Sequence, residues 1–306
     1  MIKTTINWRW LVEHQTDETL IIHKVKRIIY SGRSRYQEID VVETEDYGTC
    51  LVLDGKVQSS TVDEFIYHEV LVHPAMVSHP YPEKVLIIGG GEGAIAREVL
   101  KHNIVKSVVM VDLDEEVIRV SKKYMPQLSA GAFDDKRLKL IIDDGRAYVE
   151  RVAEEYDVVI IDVTDPLREG PSYLLYTRQF YELVKKRLKP DGIMTTQATS
   201  TFYSRKSFTL IYSTLKSVFP VVRAYCAWVP SFGSMWGFVL ASLKYDPLDL
   251  SEDDVSSRLS ERGVSNLKYY YPEYHRALFT LPLYLKKALD EERGIVTDEK
   301  PTFMPA

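Results

Sequence analysis

Four carboxylates stand where apolar runs of this chain stop. Asp162 and Asp165 lie three residues apart in DVVIIDVTDP, Asp112 ends the apolar run of SVVMVDLD, and Glu92 sits among the glycines of IIGGGEGAIARE. Acids gathered at strand ends can hold a metal, accept a proton or bind a cation. No His or Cys accompanies the Asp162/Asp165 pair in the sequence, so the expectation is no metal. Capping the turn before Pro166 is the plain structural alternative for this pair.

The glycine cluster suggests what the acids surround. Gly89, Gly90, Gly91 and Gly93 fall where a strand becomes a helix, and a loop without side chains lets backbone N–H groups approach a ligand. Gly89 and Gly91 are the candidate contacts. Asp112 ends the next strand and could accept hydrogen bonds from ribose hydroxyls. Asp144 and Gly145, in IIDDGRAYV, end a third strand and could meet an adenine edge. Three polar stations at successive strand ends describe a nucleoside crevice, although glycine turns and strand-end acids also serve ordinary packing. A dinucleotide fits poorly, because GxGxxG spacing is absent and Glu92 would repel a pyrophosphate. A cationic nucleoside, an adenosyl sulfonium, suits the loop better.

Tyr67, His68, Gln197 and Trp236 are candidates to complete the site. Aromatic walls with acids at intervals fit a flexible polycation, whose methylenes and ammonium groups alternate. Taken singly, each of these residues is as readily core or surface.

These residues need elements to carry them. Residues 20–62 alternate β-branched runs with turn signals at Gly32, Gly48, Asp54 and Gly55, which predicts antiparallel strands and hairpins. Asp63 is placed to cap a helix over DEFIYHEVLVHPAM, with Tyr67, Val70, Leu71 and Pro74 on one face. His79-Pro80-Tyr81-Pro82 breaks the chain, giving a β domain over 1–80 and a second domain over 81–306. From residue 84 strands alternate with helices, the pattern of a parallel sheet. VLIIGG, SVVMVDLD, LKLIID, DVVIIDV, IMTTQA and WGFVLAS read as strands. EGAIAREVLKH, EEVIRVSKKYM and FYELVKKRLKPDG read as helices, the last closed by Pro190 and Gly192. The amphipathic N-terminus MIKTTINWRW lacks the features of a leader, and the polar end ALDEERGIVTDEKPTFMPA reads as a partly ordered tail. The fold class expected is α/β, a Rossmann-like parallel-sheet domain of the methyltransferase type after a small antiparallel β domain.

Bulk properties narrow the partners. A net charge of −5 with scattered Lys and Arg offers no footprint for nucleic acid. No apolar stretch reaches the ~18 residues of a membrane span. The two cysteines, Cys50 and Cys226, form no metal or disulfide pattern, so a soluble cytoplasmic protein is expected.

SGRSRYQEI, LVLDGKVQ, DEFIYHE, GGGEGA, DLDEEV, DDG, DVTDP and VTDEKP occur in this order, and through them nearly the whole chain resembles the spermidine synthase-type polyamine aminopropyltransferases. The resemblance implies decarboxylated S-adenosylmethionine as cosubstrate, no tightly bound cofactor, release of methylthioadenosine, and a homodimer or homotetramer. It implies Gln37 and Asp112 at the nucleoside, Asp144 and Gly145 at the adenine, and Asp162 as general base. His68, Glu92 and Asp165, with Tyr67 beside them, are implied to line the donor tail and amine region. The family's usual GGGDGG is here GGGEGA, and its TYPSG segment is here PSFGSMWG. Both, with EGPSYLLYTRQFY, are closer to thermospermine synthases and to members that accept unusual amines, including agmatine. Within the implied acceptor class of putrescine, agmatine and spermidine, with spermidine, spermine or thermospermine-type products, these departures count against putrescine as the preferred acceptor. A methyltransferase using intact S-adenosylmethionine, and a non-catalytic homologue that binds nucleoside or polyamine, remain the rival readings.

Overall fold

The computed structural model describes residues 9–168, 170 and 172–304. Of the segments singled out above, the first eight residues, Glu169 and Pro171 of the EGPSY stretch, and the last two residues lie outside that set.

Alternating patterns produce the first sheet. Strands β1 (Arg9–His14), β2 (Leu20–Arg33), β3 (Glu38–Thr44), β4 (Thr49–Leu53) and β5 (Lys56–Ser60) form an antiparallel meander in chain order. In β3 the buried residues alternate as Ile39 and Val41, then as Val42 and Thr44, the phase changing where the register against β2 shifts. β1 carries no clear alternation of its own and was not among the expected strands.

Helix α1 (Glu64–Ser78) follows. Its residues 67–78 are all buried, so it is a core helix rather than an amphipathic one with a single buried face. Pro74 lies inside it. Asp63 does not cap it: its carboxylate accepts from Ser60 and from the backbone and hydroxyl of Ser231, 2.6–2.9 Å away. The acid ties the start of α1 to the second sheet instead.

That sheet has seven strands in the order β11-β12-β10-β9-β6-β7-β8. They are β6 (Lys84–Gly89), β7 (Ser107–Asp112), β8 (Leu138–Ile142), β9 (Tyr156–Asp162), β10 (Leu188–Ser200), β11 (Val221–Val229) and β12 (Ser234–Ser242). β6 to β10 run parallel, and β11 and β12 add antiparallel. Their continuous apolar runs, such as Val158–Ile161, are buried on both faces because helices cover both sides. The helices are α2 (Ala94–Leu100), α3 (Glu115–Tyr124), α4 (Pro126–Ser129), α5 (Gly145–Arg151), α6 (Arg178–Lys185) and α7 (Arg205–Lys216). Three more, α8 (Glu252–Glu261), α9 (Pro272–Leu278) and α10 (Leu283–Glu291), close the chain; none is long and apolar enough to cross a membrane.

Two expectations fail here for physical reasons. Pro190 and Gly192 do not end a helix; α6 stops at Lys185, and both residues lie in β10 where its register against β9 shifts between Leu188 and Ile193. An irregular strand entry tolerates a proline that a regular ladder would reject. The tail is packed: Val296 and Met304 are buried, Asp298 pairs with Arg146, and the Met304 N–H donates to the Pro166 carbonyl at 3.1 Å.

α1 packs on α2 and on β10 and β11, while one apolar core joins its Val70 and Leu71 to Val52 and Val57 of the first sheet. The helix therefore bridges both sheets.

Candidate active site

β6 leads onward to β7 and β8 on one side, whereas β9 pairs on its other side and leads to β10. Ligand crevices of parallel sheets open at such a reversal, outside the carboxyl ends of the strands. A cleft of roughly 1260 Å3, its open mouth included, lies there. It is lined by Gln37, Tyr67, Gly89, Gly91, Glu92, Asp112, Asp144, Gly145, Asp162, Asp165, Gln197 and Trp236. That gathers the expected site residues with one exception, His68.

The glycine loop is shaped by its neighbour strand. Gly89 has φ +85°, and a Cβ there would lie 1.9 Å from the Asp162 carbonyl oxygen. That carbonyl accepts from the Gly90 N–H at 2.9 Å, so the loop and the acid-bearing end of β9 are locked together. At Gly91 a Cβ would approach the Asp112 carboxylate to 2.9 Å. Any other residue at Gly89 would have to displace the backbone of Asp162.

Asp112 accepts from the Asp114 N–H at 2.8 Å, and Gln37 donates to the Asp114 carboxylate at 2.9 Å. Gln37 thus braces this corner from the first sheet. Asp144 is exposed and caps α5, accepting from the Ala147 N–H at 2.8 Å. One acid here serves both turn and cleft.

On the other side, the Tyr67 hydroxyl donates to Asp162 Oδ1 at 2.6 Å. Phe232 and Phe238 hold the Tyr67 ring edge-on. Gln197 donates to the Val163 carbonyl at 2.9 Å and stands 3.3 Å from Asp165 Oδ1, while its own oxygen accepts from the Trp236 indole at 3.2 Å. Trp236 therefore fixes which way the amide faces, and the amide steadies Asp165.

Electrostatics sets the cleft apart. Burial pushes Asp162 up to about 7, reinforced by Glu92 and opposed by His68 and the Tyr67 hydrogen bond. Burial likewise pushes Asp112 up to about 7 and Asp165 to about 6. Burial also drives the Tyr67 phenol well above its usual range, so Tyr67 remains a donor to Asp162. His68 and Lys56 oppose these shifts without hydrogen-bonding to Asp162 or Asp165, burial prevails, and the acids are held partly protonated, the state a cationic ligand would reverse.

His68 lies behind this wall. Its Nδ1 meets Glu64 Oε2 at 2.6 Å and its Nε2 meets Glu92 Oε1 at 2.8 Å, and the residue is 1% exposed. The expectation that it lines the amine region is corrected: it touches Glu92, not the cleft. Nor does the acid cluster lack a histidine, since ligand atoms of His68, Glu92 and Asp162 lie within 4.8 Å of one another. Burial alone would lower the imidazole, yet its two carboxylate partners raise it to about 10. An imidazolium that donates from both nitrogens has no lone pair for a metal.

Apart from Gln37, sequence reasoning missed what the first sheet contributes. Glu13, Gln15, Lys56 and Gln58 line the far end of the cleft, and burial pushes Glu13 up to about 7. Gln15 donates to Glu13 at 2.9 Å, and Lys56 to the His14 carbonyl at 2.6 Å. None of these stands at a strand end of the parallel sheet, so the rule that located the other acids could not reach them. Met304 completes the lining from the packed tail.

Comparison with known proteins finds relatives along nearly the whole chain. Residues 64–251 match the spermine/spermidine synthase domain, and residues 9–69 match the spermidine synthase tetramerisation domain. Polyamine aminopropyltransferase 2 of Hyperthermus butylicus is 45% identical over 97% of this chain and 98% of its own length. A polyamine aminopropyltransferase of Pyrobaculum aerophilum is 49% identical over 91% and 96%. A spermidine synthase solved with the transition-state analogue AdoDATO superposes with a TM-score of 0.86 at 38% identity, covering 95% of this chain and 99% of that one. Spermidine synthase from Thermotoga maritima gives 0.84 at 36%, covering 95% and 98%. With its acid-ringed cleft at the β6/β9 reversal, the chain belongs to the spermine/spermidine synthase family of aminopropyltransferases.

Proposed function

We propose that the cleft takes decarboxylated S-adenosylmethionine on the β6–β8 side and a polyamine acceptor between Asp162, Asp165, Gln197 and Trp236. Asp112 receives the ribose hydroxyls, Asp144 and Gly145 flank the adenine, and Gln37 steadies that corner through Asp114. The Glu92 carboxylate pairs with the ammonium of the donor tail and disfavours the carboxylate of intact S-adenosylmethionine. Residues 1–80 act as a cap and residues 81–306 as the catalytic body.

In the reaction a neutral amine nitrogen attacks the propyl carbon beside the sulfonium. The C–N bond forms as the C–S bond breaks, and sulfur leaves with the bonding pair in neutral methylthioadenosine. Asp162 has by then taken the proton that kept the acceptor nitrogen an ammonium, and the product nitrogen is left as a secondary ammonium. The observation that carries this reading is Asp162, held near 7 in the cleft with one oxygen occupied by Tyr67. A base matched to neutral pH accepts a proton on its other oxygen without binding it too tightly to release. An aliphatic amine, with a reference near ~10.4, arrives largely protonated, and the adjacent sulfonium helps it give that proton up.

Glu13 at the far end supports acceptors with a further ammonium, so the class proposed is putrescine, agmatine and spermidine. A homodimer or homotetramer is supported by the tetramerisation match and by one face of the first hairpin. There Val12 pairs with Ile22, and Trp10, Val12, Leu20 and Ile22 are all exposed. Cytoplasmic action is in keeping with two free thiols, Cys50 and Cys226.

The test is incubation with decarboxylated donor and putrescine, cadaverine, agmatine, spermidine or norspermidine. Methylthioadenosine release with an alkylated amine is expected. S-adenosylhomocysteine formed from the intact donor would replace this reading with methyl transfer, and absence of turnover with every amine would favour a binding protein.

A further inference from the structure

Glu92 reaches the cleft from a wall that is itself charged. Behind it His68 bonds Glu92 with one nitrogen and Glu64 with the other, at 2.8 and 2.6 Å. Arg97 then grips Glu64 with both terminal nitrogens, at 3.0 and 2.8 Å. The order is cation, anion, cation, anion, ending at the donor-side wall. Glu64 and Arg97 are each well buried, with side chains 12% and 15% exposed. The bidentate pair has one planar geometry, and the imidazole ring between two carboxylates has no rotational freedom left.

Arg97 also forks away from the cleft. Its Nε donates to Glu98 at 2.8 Å, and Glu98 accepts from His73 at 2.9 Å and pairs with Lys101 at 2.7 Å. This second branch ends at His102, 3.1 Å from His73, and none of its members lines the cleft. Two arms of one arginine thus serve two buried acids of similar surroundings, only one of which leads to the ligand.

We infer that Glu64 and Arg97 are positioning residues that hold Glu92 for the donor's cationic tail through His68. The inference rests on the proposed pairing of Glu92 with that tail. A side chain as free as an unbraced glutamate loses rotamer freedom on meeting an ammonium; a braced one has lost it already. The chain also divides the wall's charge, because His68 engages only one oxygen of Glu92 and leaves the other for the ligand.

The measurement compares Glu64→Gln with Glu98→Gln, using two ligands: decarboxylated S-adenosylmethionine and methylthioadenosine, which lacks the tail. Glu64→Gln should weaken the donor by about tenfold while methylthioadenosine binding stays within twofold. Glu98→Gln should leave both ligands within twofold, even if it lowers the melting temperature. Equal weakening by the two variants, or an unmoved donor affinity in Glu64→Gln, overturns the positioning role. If Glu64→Gln does not fold, Arg97→Met takes its place with the same expectation and the same overturning results, and Arg97→Lys should restore part of the affinity. Glu92→Gln in the same assay separates the premise: if it leaves donor affinity unchanged, the pairing of Glu92 with the tail is wrong, whatever the other variants do.

Discussion

Two groups of buried and half-buried carboxylates lie on either side of one wall, and they behave oppositely. On the cleft side, burial raises Glu13, Asp112, Asp162 and Asp165 into the range of about 6 to 7. Behind the wall, burial acts on Glu64 in the same sense, yet His68 and Arg97 overcome it and bring Glu64 down to about 2. Glu98 is likewise held well below its usual range by His73, Arg97 and Lys101. The difference is how close the cations come. Behind the wall they hydrogen-bond the carboxylates directly, whereas Lys56 and His68 act on Glu13, Asp165 and Asp162 from a distance and do not overcome burial.

That contrast can be broken in three places. The largest effect is expected at Asp162: Asp162→Asn should lower kcat by about 10^3, within the usual range for a lost general base, with methylthioadenosine binding nearly intact. Near-wild-type turnover would remove Asp162 from the chemistry and leave the cleft acids as mere counter-ions. A middle-sized effect is expected in proton balance. A bound cation lowers the pKa of raised carboxylates, so donor binding at pH 7 should release up to about one proton. Calorimetry in buffers of different ionisation enthalpy reads this directly, and proton uptake would contradict the assignment of charge.

The smallest effect is on stability. For the cleft acids the folded pKa exceeds the unfolded one; between about 4 and 7 the unfolded chain has released protons that the folded one keeps. Their contribution to stability therefore falls as pH rises through that window. For Glu64 the sign is opposite: its contribution is present above its usual 4.5 and is lost as pH falls toward about 2. Asp162→Asn should accordingly raise the melting temperature of the ligand-free protein at pH 8 by a few degrees, and Glu98→Gln should lower it. The same sign for both would erase the distinction between the two groups.

Much of this was legible in the sequence. Strand ends of a parallel sheet are marked by apolar runs that stop, so Asp112, Asp144 and Asp162 were found by position alone. The cleft's far end was not, because Glu13 and Lys56 belong to hairpins whose alternation says which face is buried but not what that face meets. His68 was mislocated for a related reason. Four residues from Glu64 and one from Tyr67, it shares a helix with a cleft residue, and only the packing of α1 on α2 decides that it turns toward Arg97. Pro190 and Gly192 misled because helix stops and irregular strand entries use the same residues. The tail's order depends on Asp298 meeting Arg146, 152 residues away in the chain.

Helix α1 carries a consequence for anyone recombining these enzymes. It starts where the first sheet ends and supplies Glu64, Tyr67 and His68 to a wall built mainly by the second. A chimera cut at the visible chain break near His79–Pro82 would exchange the sheet together with the hydroxyl on Asp162 and the brace on Glu92. A cut before Glu64 would exchange the far end of the cleft and the Gln37 brace on Asp114, but would leave the Tyr67 hydroxyl and the Glu92 brace in place. The crossover that keeps Tyr67 on Asp162 and His68 on Glu92 is therefore the short turn between β5 and α1, at Thr61–Asp63.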